Sequence, residues 1–302
     1  MKILIIGSEG FIGSYLIQQL TDENIVGCDL FEAPSSSFKY DYLKVSRLSP
    51  QWDEIFTNHK FDVCINAAGS GNVPYSMQHP LIDFESNTLD VIRLLEAIRK
   101  HNNGCKYLHI SSAAVYGNPS RLPVSEDSMG KPLSPYGWHK LMSEQICAEY
   151  FSLYKIPIAI VRPFSVYGER LKKQLLWDIC SRLKDADSIQ LFGTGTESRD
   201  FIHVEDLARL IDLLIQKAPF EGEVYNAASG VERTICSIAE IFEKDYDGKK
   251  KISFSGELRQ GDPLHWRADI SSVSSFGFKP EVSFEGGVAD YIQWFTKTYP
   301  SA

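Results

Sequence analysis

The sequence predicts an α/β protein built on a doubly wound parallel sheet, with a smaller mixed α/β region after it. Three observations carry that expectation. Short apolar runs alternate with longer stretches of helical periodicity through the first half, and such alternation implies parallel strands with helices on both sheet faces. The first apolar run leads directly into a glycine cluster, Gly7, Gly10 and Gly13. After Gly168 the rhythm breaks up, and Gly193, Gly195, Gly261, Pro263, Gly286 and Gly287 punctuate the tail.

Taken in order, residues 2–6 read as a buried first strand, whose apolar stretch is too short for the core of a signal peptide. Residues 11–20 read as a helix, 25–28 as a strand, and 63–66 as a strand followed by a long loop. Residues 80–100 read as one helix, with Val91, Leu95 and Ile98 on a common face. Residues 107–111 read as a strand, 135–154 as a helix and 158–162 as a strand. Residues 1–168 are thus expected to form the main domain, with 200–228 returning to its sheet. Residues 169–199 and 229–302 are expected to form a smaller substrate-capping region. In this architecture a ligand binds at the carboxyl ends of the strands.

Composition limits what the chain can do. Its 302 residues are 43% hydrophobic and 23% charged, an ordinary globular balance, and a net charge of -8 argues against a nucleic-acid partner held by bulk electrostatics. Cys28, Cys64, Cys105, Cys147, Cys180 and Cys236 are scattered without a C-x-x-C pair. They are expected to be reduced thiols in a cytoplasmic protein, with no metal site. No apolar run is long enough to span a membrane.

The run Gly7-Ser8-Glu9-Gly10-Phe11-Ile12-Gly13 lies between the first strand and the first helix. There glycines let the backbone turn and approach a pyrophosphate, and the helix N-terminus offers free N–H groups and a positive dipole end. Asp29 follows the second strand, about twenty residues on, where a carboxylate can accept hydrogen bonds from an adenosine ribose. It would repel a 2′-phosphate, and no Arg sits within residues 27–31, so NAD is expected over NADP.

Tyr136 and Lys140 stand four apart on the helix over 135–154, so phenol and ammonium share a face. The ammonium favours phenolate, and such a pair serves as general base toward an alcohol or general acid toward a ketone. The spacing recurs at Tyr40/Lys44 and Tyr246/Lys250. The first of these comes too early in the fold to meet a nicotinamide, and the second lies in a polar run read as a solvated turn. Only Tyr136/Lys140 follows a strand ending in hydroxyls, Ser111-Ser112. A serine there can bond the substrate oxygen and stabilise its developing charge.

With these residues assembled, the chain resembles the extended short-chain dehydrogenases, in the group of nucleotide-sugar epimerases, dehydratases and reductases, from Met1 to about Asp269. The resemblance implies a Rossmann domain binding NAD through Gly7, Gly10, Phe11, Ile12 and Gly13, with Asp29 on the ribose. It places Asp41 and Tyr42 at the adenine, Ala67 and Ala68 where the backbone passes the cofactor, and Asn87 in the following helix. Asn66 stands where the family often has His. Ser112, Tyr136 and Lys140 match the catalytic set. Residues 162–168 resemble the family's Arg-Pro-x-Asn-Val-Tyr-Gly, with Ser165 replacing the Asn that contacts substrate. Arg199 and Arg259 look like the two phosphate-binding arginines of a nucleotide-diphosphate-sugar site, where guanidinium forks match phosphate oxygens. Relatives commonly pair through the helices over 80–100 and 135–154, so a homodimer is expected.

Dehydratases of this kind carry an acid–base pair just after the catalytic serine, and here those positions are Ala113 and Ala114, which cannot exchange a proton. Two enzyme readings remain. One is a 4-epimerase that oxidises C4, lets the keto sugar turn and reduces it on the other face. The other is a 4-reductase of a 4-keto-6-deoxy sugar consuming NAD(P)H. Asp29 favours the first. A cofactor-sensing protein without turnover would not need the Ser112/Tyr136/Lys140 set. Trp138 and His139 are read as packing residues, with contact to substrate or to a dimer partner as the alternatives.

Overall fold

The computed structural model describes all residues except 36–37, 48, 247, 259–262 and 301–302. The chain opens with β1 (Lys2–Ile6), α1 (Phe11–Gln19), β2 (Asn24–Asp29), β3 (Asp41–Lys44), α2 (Trp52–Asn58) and β4 (Val63–Asn66). There follow α3 (Val73–Gln78), α4 (Pro80–Phe84), a π-helical turn (Glu85–Leu89), α5 (Asp90–His101) and β5 (Lys106–Ile110). A 3-10 turn (Ala113–Tyr116), α6 (Pro135–Tyr154) and β6 (Ile158–Pro163) complete the run. With a strand from later in the chain, β10 (Glu221–Ala227), these strands form one seven-stranded parallel sheet in the order β10-β6-β5-β4-β1-β2-β3.

β1 shows why the sheet is double-sided. Ile3 and Ile5 point into one core with Leu16, Ile17, Leu210 and Ile211, while Leu4 and Cys64 face the other with Leu94, Leu95 and Ile98. Successive side chains of a strand face opposite ways, so an unbroken apolar run is buried on both faces. The strand order reverses between β1 and β4, which opens a crevice at their carboxyl ends. Gly7 and Ala67 follow those two strands directly.

The remainder comprises β7 (Ser165–Tyr167), α7 (Gln174–Leu183), β8 (Ser188–Leu191), β9 (Ser198–His203), α8 (Val204–Lys217) and β10 (Glu221–Ala227). It ends with β11 (Glu232–Thr234), α9 (Ile235–Tyr246), β12 (Lys251–Phe254), α10 (Ser271–Ser275) and α11 (Phe284–Thr298). β11, β9 and β7 make a three-stranded sheet, and β12 pairs with β8. Their own core gathers Ile179, Ile238, Phe242, Val288 and Tyr291.

Four local expectations need correction. Of residues 200–228, β10 joins the main sheet and α8 packs on its face, whereas 200–203 belong to β9, which pairs with β7 and β11. The helix expected over 80–100 is broken by the π-helical turn. The loop after β4 contains α3, capped by the Asn72 side chain, which accepts from the Tyr75 N–H at 3.0 Å. In the polar run read as a solvated turn, Tyr246 and Lys250 depart from that reading. α9 reaches Tyr246, and Lys250 is buried, donating to the Ala186 carbonyl and the Asp187 carboxylate, both at 3.1 Å.

Candidate active site

The glycine loop between β1 and α1 is shaped by contact. Gly7 takes φ +79°, and a Cβ there would stand 2.9 Å from the Ala68 nitrogen. A Cβ on Gly13 would stand 2.0 Å from the Gly7 carbonyl oxygen. Both positions therefore exclude a side chain. Gly10 caps α1 without a side-chain hydrogen bond, leaving the first N–H groups of the helix open to an anion. Phe11 and Ile12 begin α1 and pack partly buried against the core. This cradle fits a dinucleotide pyrophosphate.

At the end of β2, Asp29 Oδ2 accepts from the Glu9 N–H at 2.9 Å and Oδ1 from the Leu30 N–H at 2.7 Å. Glu9, passed over in the sequence, proves to be a hub. Its carboxylate accepts from the Ser35 N–H at 2.7 Å, the Ser35 hydroxyl at 2.6 Å and the Tyr40 hydroxyl. Burial pushes that carboxyl up, and the bonds from Ser35 and Tyr40 outweigh it, holding it below the usual value. Glu9, Asp29 and Glu32 all act on Tyr42, whose phenol burial raises to about 12. So much negative charge disfavours a 2′-phosphate. Asp41 is exposed at the start of β3, and the Tyr42 hydroxyl donates to the Phe31 carbonyl at 2.8 Å.

Ala67 and Ala68 line the crevice after β4, partly exposed. Asn66 points inward: its side chain accepts from the Ala68 N–H at 3.2 Å and donates to Tyr107 at 2.9 Å. Asn87 lies in the π-helical turn, buried, and donates to the Ser70 carbonyl at 3.1 Å. A Cβ on Gly69 would come within 2.5 Å of Asn87 Oδ1 and 3.6 Å of Lys140 Nζ. The π-turn thus brings Asn87, the 69–71 backbone and Lys140 together, a common use of π-bulges at functional sites.

Ser134 and Pro135 start α6, the Ser134 hydroxyl accepting from the Gly137 N–H at 3.2 Å. Tyr136 and Lys140 then stand one turn apart. The Lys140 ammonium, buried, donates to the Ile110 carbonyl at 3.0 Å. Burial pushes the Tyr136 phenol up to about 12, while a hydrogen bond with Ser112 pulls it down. Burial lowers Lys140 to about 8, with Asp83 and Glu144 opposing the fall. Desolvation is the largest influence on both groups, and Ser112 is the neighbour that favours phenolate. Ser112 also caps the following 3-10 turn, its Oγ accepting from the Ala114 N–H at 3.1 Å.

Beneath this cluster lies a buried ion pair that the sequence reading did not single out. Arg162 donates through Nε and one terminal nitrogen to the two Glu144 oxygens, at 3.0 and 2.7 Å, and to the Tyr116 hydroxyl at 2.8 Å. Glu144 also accepts from Ser111. A lone Arg in an otherwise apolar strand was the available signal, since a buried charge requires a partner. The packing role read for Trp138 is also corrected, because it is 48% exposed. His139 packs as expected, its Nδ1 lying 2.6 Å from the buried Asp83 carboxylate.

On the far side of the cleft, Ser165 sits half-buried on β7. Arg199, on β9, donates to the Ser198 and Leu264 carbonyls at 2.8 and 3.3 Å, its guanidinium 5.7 Å from the Trp266 ring centre. Arg259 lies outside the described residues. No helix among the described residues is long and apolar enough to cross a membrane, and none of their His, Cys, Asp and Glu side chains group to hold a metal. All six cysteines are free thiols.

The sequence model of the NAD dependent epimerase/dehydratase family matches residues 3–228. Among curated proteins, one of Methanocaldococcus jannaschii named "Putative UDP-glucose 4-epimerase" is 31% identical, over 97% of each chain. A UDP-glucuronic acid 4-epimerase of Bacillus cereus, crystallised with NAD, is 30% identical, with a TM-score of 0.90 over 99% of this chain and 100% of that one. A UDP-N-acetylglucosamine 4-epimerase of Methanobrevibacter ruminantium is 25% identical, with a TM-score of 0.89 over 98% of both chains.

Proposed function

The chain belongs to the NAD-dependent epimerase/dehydratase family, and from that membership and its site we propose that it is an NAD-dependent nucleotide-sugar 4-epimerase acting on UDP-hexoses. The observation that carries this reading is the convergence of Ser112, Tyr136 and Lys140 on the 69–71 backbone at the strand-order switch, with methyl groups at Ala113 and Ala114. Such a site can move one proton at a hydroxyl and has no second acid–base pair with which to expel water.

When bound, NAD would supply the reversible hydride acceptor for C4. The chain's residues do the rest. Tyr136 removes the proton from the C4 hydroxyl and gives it back after the keto sugar has turned. Ser112 holds the same oxygen and stabilises phenolate. Lys140, anchored to the Ile110 carbonyl, supplies positive charge beneath. Gly7, Gly10, Phe11, Ile12 and Gly13 cradle the pyrophosphate. Asp29, Asp41 and Tyr42 take the adenosine, and Ala67, Ala68 and Asn87 line the nicotinamide side. Ser165 and Arg199 hold the sugar nucleotide, Arg199 on its diphosphate.

Purified protein, denatured, is expected to release NAD, and the native protein to interconvert UDP-glucose or UDP-N-acetylglucosamine with its C4 epimer without added cofactor. A stoichiometric demand for NADH or NADPH with a 4-keto sugar would replace the epimerase with a reductase.

A cytoplasmic homodimer completes the reading. Leu81 on α4 and Trp138 and Met142 on α6 are 68%, 48% and 39% exposed, an apolar strip on adjacent helices of the kind that marks an interface. Light scattering is expected to give twice the chain mass, and Trp138→Glu to shift it toward monomer. A monomeric wild-type protein would contradict this.

A further inference from the structure

Between β7 and α7 the chain carries three cations within four residues, Arg170, Lys172 and Lys173. Two are committed. The Arg170 guanidinium lies 4.3 Å from the Tyr15 ring centre, and the Lys172 ammonium 5.6 Å from that of Tyr299. Leu171 between them is buried, its carbonyl accepting from Tyr291 at 2.6 Å. Arg170 and Gln174 are held at φ 72° and 69°, left-handed backbone that non-glycine residues keep only where the surroundings enforce it.

The segment so pinned turns Lys173 into the cleft. Its Nζ lies 3.4 Å from the point where a Cβ on Gly71 would stand, and the Tyr136 hydroxyl lies 3.8 Å from that same point. Lys173 has no hydrogen-bond or ion-pair partner among the described residues. Its side chain is open to solvent, yet the protein around it pulls the ammonium below the usual lysine value. The cleft thus holds a lysine with no counter-ion, beside the group that handles the C4 proton.

We propose that Lys173 is a specificity-determining residue that binds a carboxylate on C5 of the hexose, so that the favoured substrates are nucleotide-activated uronic acids. This rests on the 4-epimerase reading, which puts C4 at Tyr136. The diphosphate hangs from C1, across the ring. The substituents within reach of a cation beside C4 are those on C3 and C5, and a uronate carries its carboxylate directly on C5. An ammonium facing that carboxylate makes a charge-assisted bond.

The test compares UDP-glucuronate with UDP-glucose on the holoenzyme, by kcat and KM and by calorimetric binding. The wild type is expected to prefer the uronate. Lys173→Met is expected to lower the uronate-to-glucose ratio of kcat/KM by about 10- to 100-fold, mainly through KM, the size of one charge-assisted contact. Lys173→Arg, which keeps the charge, is expected to retain most of the preference. A ratio unchanged by Lys173→Met, or a wild type indifferent to the carboxylate, overturns the proposal while leaving epimerisation standing. Lys173-dependent uronate binding without turnover of either sugar upholds the subsite and overturns the epimerase reading.

Discussion

Tyr136→Phe is expected to lower kcat by about 10²- to 10⁴-fold, the usual worth of a positioned general acid–base group, with fold and bound NAD intact. The substitution keeps the ring and removes only the oxygen that faces Ser112. The loss should fall on kcat rather than KM, because the proton moves only on the way to the transition state. The pH profile gives a second check. Burial holds Lys140 near 8, so its positive charge is full below that pH and fades above it. Wild-type kcat/KM is expected to fall on the alkaline side from about pH 8, and the residual rate of the Phe variant to lack the phenol's contribution throughout. Full activity in the Phe variant would remove Tyr136 from the mechanism.

Glu144→Ala is expected to cost about 3–5 kcal/mol, the range for breaking a buried ion pair from one side, read as a fall in Tm of roughly 5–8 °C. Glu144 and Arg162 side chains are 6% and 9% exposed, so the remaining guanidinium would be left without its counter-charge. Replacing both at once, Glu144→Leu with Arg162→Met, should recover much of the loss, since an apolar pair of similar volume leaves no orphaned charge. The damage should also reach activity. Glu144 accepts from Ser111 beside Ser112, the proposed partner of the C4 oxygen, and opposes the fall in the Lys140 pKa. If the single Ala variant melts with the wild type, the pair carries no such weight.

How far the site was legible follows from the range of each signal. Gly7, Gly10 and Gly13 announce themselves because steric exclusion at a tight turn acts over a few residues, and the structure supplies the reason in a Cβ that would meet the Gly7 carbonyl oxygen at 2.0 Å. The Tyr136/Lys140 spacing was equally local, and α6 starts at Pro135 because Ser134 and Pro135 are good start signals. Glu9 was not legible, since its partners Ser35 and Tyr40 come to it only when the chain beyond β2 folds back over the glycine loop. Arg162 and Glu144 belong to different elements, and their pairing follows from the packing of α6 against β6. Asn87 was found by resemblance, but its place against Gly69 depends on the π-turn, which helical periodicity does not reveal.

By itself the sequence determined the doubly wound architecture, the glycine turn after β1 and the Tyr136/Lys140 spacing, because apolar periodicity, turn sterics and helical spacing are set by neighbours along the chain. Only the tertiary structure decided how these groups are charged and what else faces them. Burial raises the Tyr136 phenol and lowers the Lys140 ammonium, β9 joins the small sheet rather than the large one, and Lys173 turns into the cleft without a counter-ion. Desolvation and charge act through space, among residues tens of positions apart, and their balance exists only once the chain has closed around them.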